Sequence, residues 1–210
     1  MPGKYKIKID ESWSLEDLYV FSRTYEQVYF MLYSIHPDSG EDNSERIQQA
    51  YKAFPWKGGY SAVNFYNQLK YVVPPKKRPQ INQIRYASPG FIELILLLYV
   101  ARYLAKTVKR IASSVRECNS VYNQIVSDMQ KRKLLRIDVK RKQLLLESEE
   151  MAAVEHHADI AARLLGFPNH QSITERTGNP YVTLKILLSL YRRVRTLAEF
   201  KNKGKADLKE

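Results

Sequence analysis

Histidine suits proton transfer and metal binding near neutral pH, and the chain contains four histidines. Two of them, His156 and His157, are adjacent in the segment Glu155-His-His-Ala-Asp159. A metal site in a helical bundle needs Glu-x-x-His pairs on more than one helix, and that pattern is absent from the sequence. The two histidines are therefore interpreted as partly exposed helix residues, and the sequence predicts no metal site and no cofactor.

Another histidine follows an arginine at a spacing that suits RNA chemistry. Six residues separate Arg163 from His170, and Asn169 comes directly before the histidine. This spacing resembles the Arg-x4–6-His element of the HEPN ribonucleases, a helical and often dimeric family. The resemblance covers eight of the 210 residues, and Gly166 and Pro168 place the motif across a helix end. It implies that Arg163 and His170 converge at a dimer interface and cleave RNA.

Two clusters of cations are candidate contacts for an anion or a nucleic acid. Phosphate contacts from such clusters give binding that weakens with salt and tolerates many base sequences. Solvation of a helix end, or favourable interaction with the helix dipole, is the structural alternative. The first cluster contains Lys131, Arg132, Lys133, Arg136, Lys140, Arg141 and Lys142, and the second contains Arg192, Arg193 and Arg195.

The overall charge favours an acidic partner. Thirty-four Lys and Arg residues against twenty-two Asp and Glu give a net charge of +12 and an isoelectric point near 9.6. Nucleic acid, an anionic membrane face or an acidic protein would complement this excess. The single cysteine, Cys118, excludes an intrachain disulfide and a cysteine-rich zinc site.

Most of these side chains lie in a segment without glycine or proline, from Phe91 to Leu165. Its apolar or small residues alternate at spacings of three and four, which predicts a heptad seam with a basic outer face. A change of register near residues 134–138 favours two helices folded into a hairpin, with one continuous helix as the alternative. The seam positions are Leu94, Leu97, Ala101, Leu104, Val108, Ile111, Val115, Cys118, Tyr122, Ile125 and Met129, and the outer face includes Arg102, Lys106, Lys109, Arg110 and Arg116.

A heptad seam is typical of helices that associate, so the sequence predicts a homo-oligomer. Part of the seam is expected to form the contact between copies. The residues assigned to self-association are Leu97, Leu104, Val108, Ile111, Val115, Tyr122 and Ile125.

Two short strands complete the expected architecture, one near residues 4–10 and one near residues 80–87. Tyr5, Ile7 and Ile9 alternate with lysines, which is the period of a half-buried strand. Two strands alone are marginally stable in water. We therefore expect them to pair with each other under a helix or to gain strands from a second copy.

The predicted fold is mainly α with a small β component: a long-helix bundle or hairpin with a heptad seam, plus the two strands. Residues 1–88 form a strand-helix-strand region packed on the core, residues 89–200 the long-helix bundle, and residues 201–210 a disordered tail. The apolar run at 91–105 is too short to span a bilayer, so membrane insertion is not expected. One cysteine and no secretory signal predict a cytoplasmic location.

The leading functional hypothesis is a non-enzymatic, self-associating helical module that presents a basic surface to an acidic partner, nucleic acid first and an acidic protein second. Three alternatives stay open. They are a HEPN-like ribonuclease that uses Arg163 and His170, a structural subunit of a larger protein complex, and a membrane-surface effector.

Overall fold

A computed structural model describes residues 2–36, 44–53, 61–132, 134 and 148–209. Helices dominate these ranges and a small sheet accompanies them, which confirms the mainly helical class. A short 3-10 turn at Pro75–Lys77 precedes the second strand. The order is β1 (Pro2–Ile9), α1 (Leu15–Ile35), α2 (Ser44–Ala53), α3 (Ser61–Val72), β2 (Gln80–Arg85), β3 (Gly90–Leu97), α4 (Leu98–Ser113), α5 (Val115–Lys131), α6 (Ser148–Leu164), α7 (Gln171–Thr177), α8 (Pro180–Asn202) and β4 (Ala206–Leu208).

The strands form one antiparallel sheet in the order β2-β3-β1-β4. β1 and β3 pair along their whole length, from Pro2 opposite Leu97 to Ile9 opposite Gly90. Both predicted strands exist, but each pairs with β3 rather than with the other. The two predicted strands therefore do not pair with each other. The additional strands of the sheet, β3 and β4, come from the same chain and not from a second copy.

β3 lies where the sequence predicted the beginning of a long helix. The predicted seam residues Leu94 and Leu97 belong to this strand. Periodicity does not distinguish a short buried apolar strand from a buried helix, and this ambiguity caused the error. The apolar run at 91–105 is accordingly divided between β3 and α4, and no helix in the described ranges is both long and apolar enough to cross a bilayer.

The helix predicted after residue 91 is also interrupted between α4 and α5, while the predicted turn or register change near residues 134–138 lies outside the described residues except for Leu134. Ser114, with φ −139° and ψ 41°, ends α4 and breaks the helix before α5 begins. Nine of the eleven seam positions are buried, so the spacing correctly marked the inward face. α4 packs mainly on α8 of the same chain, and a heptad seam between long helices is not confirmed.

α8 lies at the centre of the helical layer, where it contacts α1, α4 and α6. Asn179 caps its first turn, with its side-chain oxygen accepting from the backbone N–H groups of Tyr181 and Val182. The second half of α1 is buried on nearly all sides, as expected for a helix that is apolar around most of its circumference. These helices and the sheet share one apolar core.

The sequence predicted a disordered tail at 201–210, but the end of α8 and β4 lie within its described part, residues 201–209. β4 pairs with β1, with Ile7 opposite Leu208 and Ile9 opposite Ala206. Ala206 and Leu208 are buried, so this short segment does have apolar side chains that pack on the core. The alternating Ala-Asp-Leu pattern is too short to identify a strand from sequence.

The carboxyl group of Asp17 accepts hydrogen bonds from residues near both ends of the described chain. It accepts hydrogen bonds from the Ser14 N–H and hydroxyl, and from Lys205 Nζ at 2.8 Å. These bonds, led by the one from Lys205, lower the pKa of Asp17 to about 2. The start of α1 is thereby tied to the residue that precedes β4.

We expect the Asp17→Asn variant to be less stable than the wild type at pH 7, and the difference to decrease in acid. A carboxyl whose pKa is lowered by folding stabilises the folded state above its unfolded pKa of about 3.9. That contribution is lost as the pH falls through the folded pKa. Urea unfolding between pH 7 and pH 2 measures the difference, and a difference that stays constant over this range would contradict the assigned bonds.

We expect Ile111→Ala to lower the free energy of unfolding by about 2–5 kcal/mol, because Ile111 is fully buried in the core. The loss should not depend on protein concentration, since the contacts lie within one chain. Denaturation at two concentrations about a hundredfold apart checks this result. A loss that decreases on dilution would instead place Ile111 at an interface between copies, because dimerisation stabilises the wild type less as the protein is diluted.

Candidate anion-binding pocket

α4 is a helix with one apolar face and one basic face. Its sixteen residues contain four cations and no carboxylate. The buried side chains recur at helical spacing and turn toward the core. The cations Arg102, Lys106, Lys109 and Arg110 are consequently exposed on the other side.

A pocket of about 520 Å³ lies between the basic side of α4 and the end of α6. Among the described residues that line it are three cations and three hydroxyl-bearing side chains, and no carboxylate. The cations supply positive charge and N–H donors, which suits a phosphate or another anion. The three hydroxyl groups already donate to backbone carbonyls of the chain. The lining residues are Tyr103, Lys106, Thr107, Lys109, Arg110, Ser113, Leu165 and Gly166.

Gly166 and Tyr103 set the width of the pocket. Gly166 follows α6 with φ 90°, a conformation that favours glycine. A Cβ atom at this position would approach Arg110 Nη1 to 3.3 Å. The Tyr103 hydroxyl donates to the carbonyl oxygen of Gly166 at 3.3 Å, and its ring stacks on Phe167 with centroids 5.9 Å apart. Burial raises the pKa of Tyr103, so this hydroxyl keeps its proton and remains a donor.

Lys106 and Arg110 give this pocket positive charge that no carboxylate of the described residues pairs. Within the described ranges, Arg102, Lys106 and Arg110 form no ion pair. On the outer face of the sheet, by contrast, Lys4 and Lys6 each lie 3.4 Å from a Glu93 carboxylate oxygen. The α4 pocket is therefore the more strongly positive of the two surfaces.

The larger predicted cation cluster lies mostly outside the described residues. Lys131 and Arg132 are at the end of α5, where Arg132 Nε lies 2.8 Å from Asp128 Oδ2. His157 and Arg132 together hold the pKa of Asp128 below its usual range through hydrogen bonds. The role of this cluster stays a prediction, and its other members, Lys133, Arg136, Lys140, Arg141 and Lys142, are not described.

Arg193, from the second predicted cluster, makes contacts inside the chain. Its guanidinium carbon lies 3.8 Å from the centroid of the Tyr66 ring. Its Nε donates to Gln27 Oε1 at 2.7 Å, and Nη1 donates to both the carbonyl and the hydroxyl of Ser189. Burial lowers the pKa of Arg193. These contacts favour a structural role that joins α8 to α1 and α3.

Arg192 and Arg195 also have partners on the chain. Arg192 Nη1 donates to the Tyr122 hydroxyl at 3.0 Å. Arg195 Nε lies 3.4 Å from Glu199 Oε1, and its Nη1 reaches Asn119 Oδ1 at 3.5 Å. An external anion would have to compete with these partners, which favours the α4 pocket as the anion site.

The two residues of the HEPN-like spacing approach the same carboxylate. Arg163 Nη2 lies 3.8 Å from Asp159 Oδ2, and His170 Nε2 lies 3.9 Å from Asp159 Oδ1. The His170 Nδ1 atom is 2.8 Å from the Thr174 hydroxyl. Arg163 is 67% exposed and His170 only 12%. The structure therefore brings the two residues together at the α6–α7 junction, with the histidine largely buried.

The adjacent histidines are positioned by a hydrogen bond instead of a metal-ligand set. His157 Nε2 lies 2.8 Å from Asp128 Oδ2, and the ring of His156 is 5.8 Å from that of His157. In the part of the chain that the structure describes, no three His, Cys, Asp or Glu side chains are grouped so that they could hold a metal ion. The contact joins α6 to α5.

The predicted self-association residues lie within the chain's own fold. Two of them, Val115 and Tyr122, are partly exposed, and Tyr122 stacks on Tyr191 with centroids 4.9 Å apart. Association of two copies through this set stays a prediction. The five buried members are Leu97, Leu104, Val108, Ile111 and Ile125.

Sequence analysis placed Lys106, Lys109 and Arg110 on a basic outer face but did not select them as a site. The sequence signal that could have identified this site is the absence of acidic residues throughout α4. The other wall of the pocket, Leu165 and Gly166, comes from a distant segment, and helical spacing does not reveal which segment packs beside α4.

Comparison with known proteins adds no functional assignment. No protein-family model, curated protein or solved structure matches the chain. Argument about function therefore starts from the geometry and charge of the α4 pocket.

Proposed function

We propose that the protein is a non-enzymatic nucleic-acid-binding module that contacts phosphates through the pocket beside α4. The supporting observation is the pocket whose described lining contains Lys106, Lys109 and Arg110 and no carboxylate. Lysine and arginine recognise phosphate through charge and hydrogen bonds. Contact with the backbone alone gives binding that tolerates different base sequences.

The distribution of cations favours a polyanion over a single phosphate. Arg102, Lys106 and Lys109 follow one another at steps of about 4.5–6 Å along the helix axis, given the rise of 1.5 Å per residue. Lys131 lies at the end of α5, about 24 Å from its beginning by the same rise. A nucleic acid presents regularly repeated charges along such a path, whereas a small anion would occupy the pocket only.

We expect the triple variant K106Q/K109Q/R110Q to bind single-stranded RNA more weakly than the wild type. The plot of log affinity against log salt concentration should also become shallower by about 2, because each lost contact with a single strand removes about 0.7 from the slope. Fluorescence anisotropy with one labelled oligonucleotide at several salt concentrations measures both quantities. An unchanged affinity and slope would contradict the proposed contact.

The matched control is K4Q/K6Q/K8Q, which removes the same charge from the outer face of the sheet. We expect it to bind RNA almost as well as the wild type, since Glu93 already pairs with Lys4 and Lys6. Equal loss in both triple variants would show that net charge, and not the pocket, determines binding. Poly-glutamate competing as strongly as RNA would favour an acidic protein partner. Replacement of the seven cations of the 131–142 cluster with glutamine measures their separate contribution.

RNA cleavage is a second candidate function, supported by the approach of Arg163 and His170 to Asp159. Arg163 comes two residues before Leu165 in the pocket wall, so RNA bound there would pass close to it. The HEPN resemblance implies that both side chains are needed. This candidate adds a reaction to the binding function and uses the same surface.

If the protein cleaves RNA, both Arg163→Gln and His170→Ala should abolish the activity. The Arg163 variant is the cleaner test, because its exposed side chain contributes little to folding. Incubation of each purified protein with mixed RNA, followed by gel analysis, gives the result. Equal degradation by the wild type and both variants would indicate a contaminating nuclease.

A further inference from the structure

In the sheet formed by the described residues, β2 is an edge strand with no strand on its outer side. All six of its residues are exposed, including Ile81 at 62% and Ile84 at 45%. An open edge presents unpaired backbone N–H and C=O groups, and proteins usually cover or protect such an edge. Exposed apolar side chains beside it mark a place where another chain can bind.

The two isoleucines border an apolar cavity under the sheet. Its volume is about 400 Å³, and it lies between β2, β3 and α1. Leu18 and Phe21 of α1 form part of the opposite wall. The inner face of β2 therefore extends beyond the helices that cover the rest of the sheet. Any strand added to β2 would place its inward side chains next to this cavity.

The register of β2 with β3 fixes the direction of its side chains. Ile81 lies opposite Leu94 and Ile84 opposite Ile92, and both partners are buried on the inner face. Cross-strand partners share one face of a sheet. A register irregularity between Ile81 and Gln83 lets two residues in succession, Asn82 and Gln83, lie on the outer face.

The residues of β2 that lie on the outer face are identified by their partners in β3. Gln80, Gln83 and Arg85 lie opposite Ile95, Glu93 and Phe91 respectively, while Asn82 donates to a Glu93 oxygen on that face. From residue 80 to residue 85 the side chains lie in turn on the outer, inner, outer, outer, inner and outer face of the sheet. This order reads the same in both directions, so two antiparallel copies of β2 can face each other with every residue on the correct side.

We propose that β2 is a self-association edge, and that two copies of the chain join their sheets across a two-fold axis between Asn82 and Gln83. In this register Ile81 lies opposite Ile84 of the second copy, and Ile84 opposite Ile81. The resulting cluster of four isoleucines covers both cavity mouths. Such an interface is isologous and closes with two copies.

The charges of β2 also suit this register. Arg85 is the single charged residue of the strand, and the two-fold axis places it opposite Gln80 of the second copy. The Gln80 side-chain oxygen can accept a hydrogen bond from the guanidinium group. The two arginines lie at opposite ends of the paired strands, so no like charges face each other. This surface is separate from the α4 pocket and does not depend on nucleic-acid binding.

The register predicts opposite effects for two substitutions of Gln80. Q80E places a carboxylate opposite Arg85 of the second copy and should strengthen the dimer. Q80K places a like charge there and should weaken it, with a difference of about tenfold or more in the dissociation constant, since each contact occurs twice. Gln124 is exposed on α5, so Q124E and Q124K serve as controls for the same changes in net charge.

Sedimentation equilibrium of the protein without nucleic acid, over a range of concentrations, measures the dissociation constant. I81T/I84T should be monomeric. At a concentration low enough for the wild type to be monomeric too, it should keep the wild-type unfolding temperature, because both isoleucines are exposed in the single chain. Wild-type protein that stays monomeric at every concentration would overturn the proposal. A dimer with the same affinity in Q80E and Q80K, or one that survives in I81T/I84T, would also overturn it.

Discussion

Burial of the apolar stripe of α4 determines how the charge of the molecule is displayed. Leu104, Val108 and Ile111 are fully buried and pack α4 onto α8, and a helix with one such stripe can be buried in only one rotational position. The cations between these positions must then face outward. Exposure of positive charge on this side is therefore a consequence of core packing, and the fold would have to be disrupted to remove it.

The cations of the chain differ in what they contact, and this difference separates structure from candidate function. Arg193 is held against Tyr66 and Gln27 in the interior, where its removal would leave buried polar groups without partners. Lys106 and Arg110 face a pocket with no carboxylate among its described lining residues. In the net charge of the sequence each of these cations counts the same. Only the neighbours of each side chain in the folded structure separate a structural cation from a candidate binding residue.

Local patterns in the sequence predicted what is local in the structure. The alternation of Tyr5, Ile7 and Ile9 with lysines identified β1. Spacings of three and four marked most buried positions between Leu94 and Met129. The pattern could not show that Leu94 belongs to a strand, because apolar residues occupy both faces of β3 and remove the alternation that identifies a strand. The pocket walls and the strand order could not be predicted for a related reason, because both bring together residues that are distant in the sequence.

The pairing of β4 with β1 links residues from the two ends of the described chain, and Lys205 contacts Asp17 across 188 positions. During synthesis β1 leaves the ribosome before the other described elements and β4 after them. Until then, the side of β1 that β4 will occupy remains without its strand, and the loop that must close is nearly as long as the described chain. The nascent chain thus carries an unprotected sheet edge until β4 has emerged, a period in which pairing between neighbouring chains competes with correct folding.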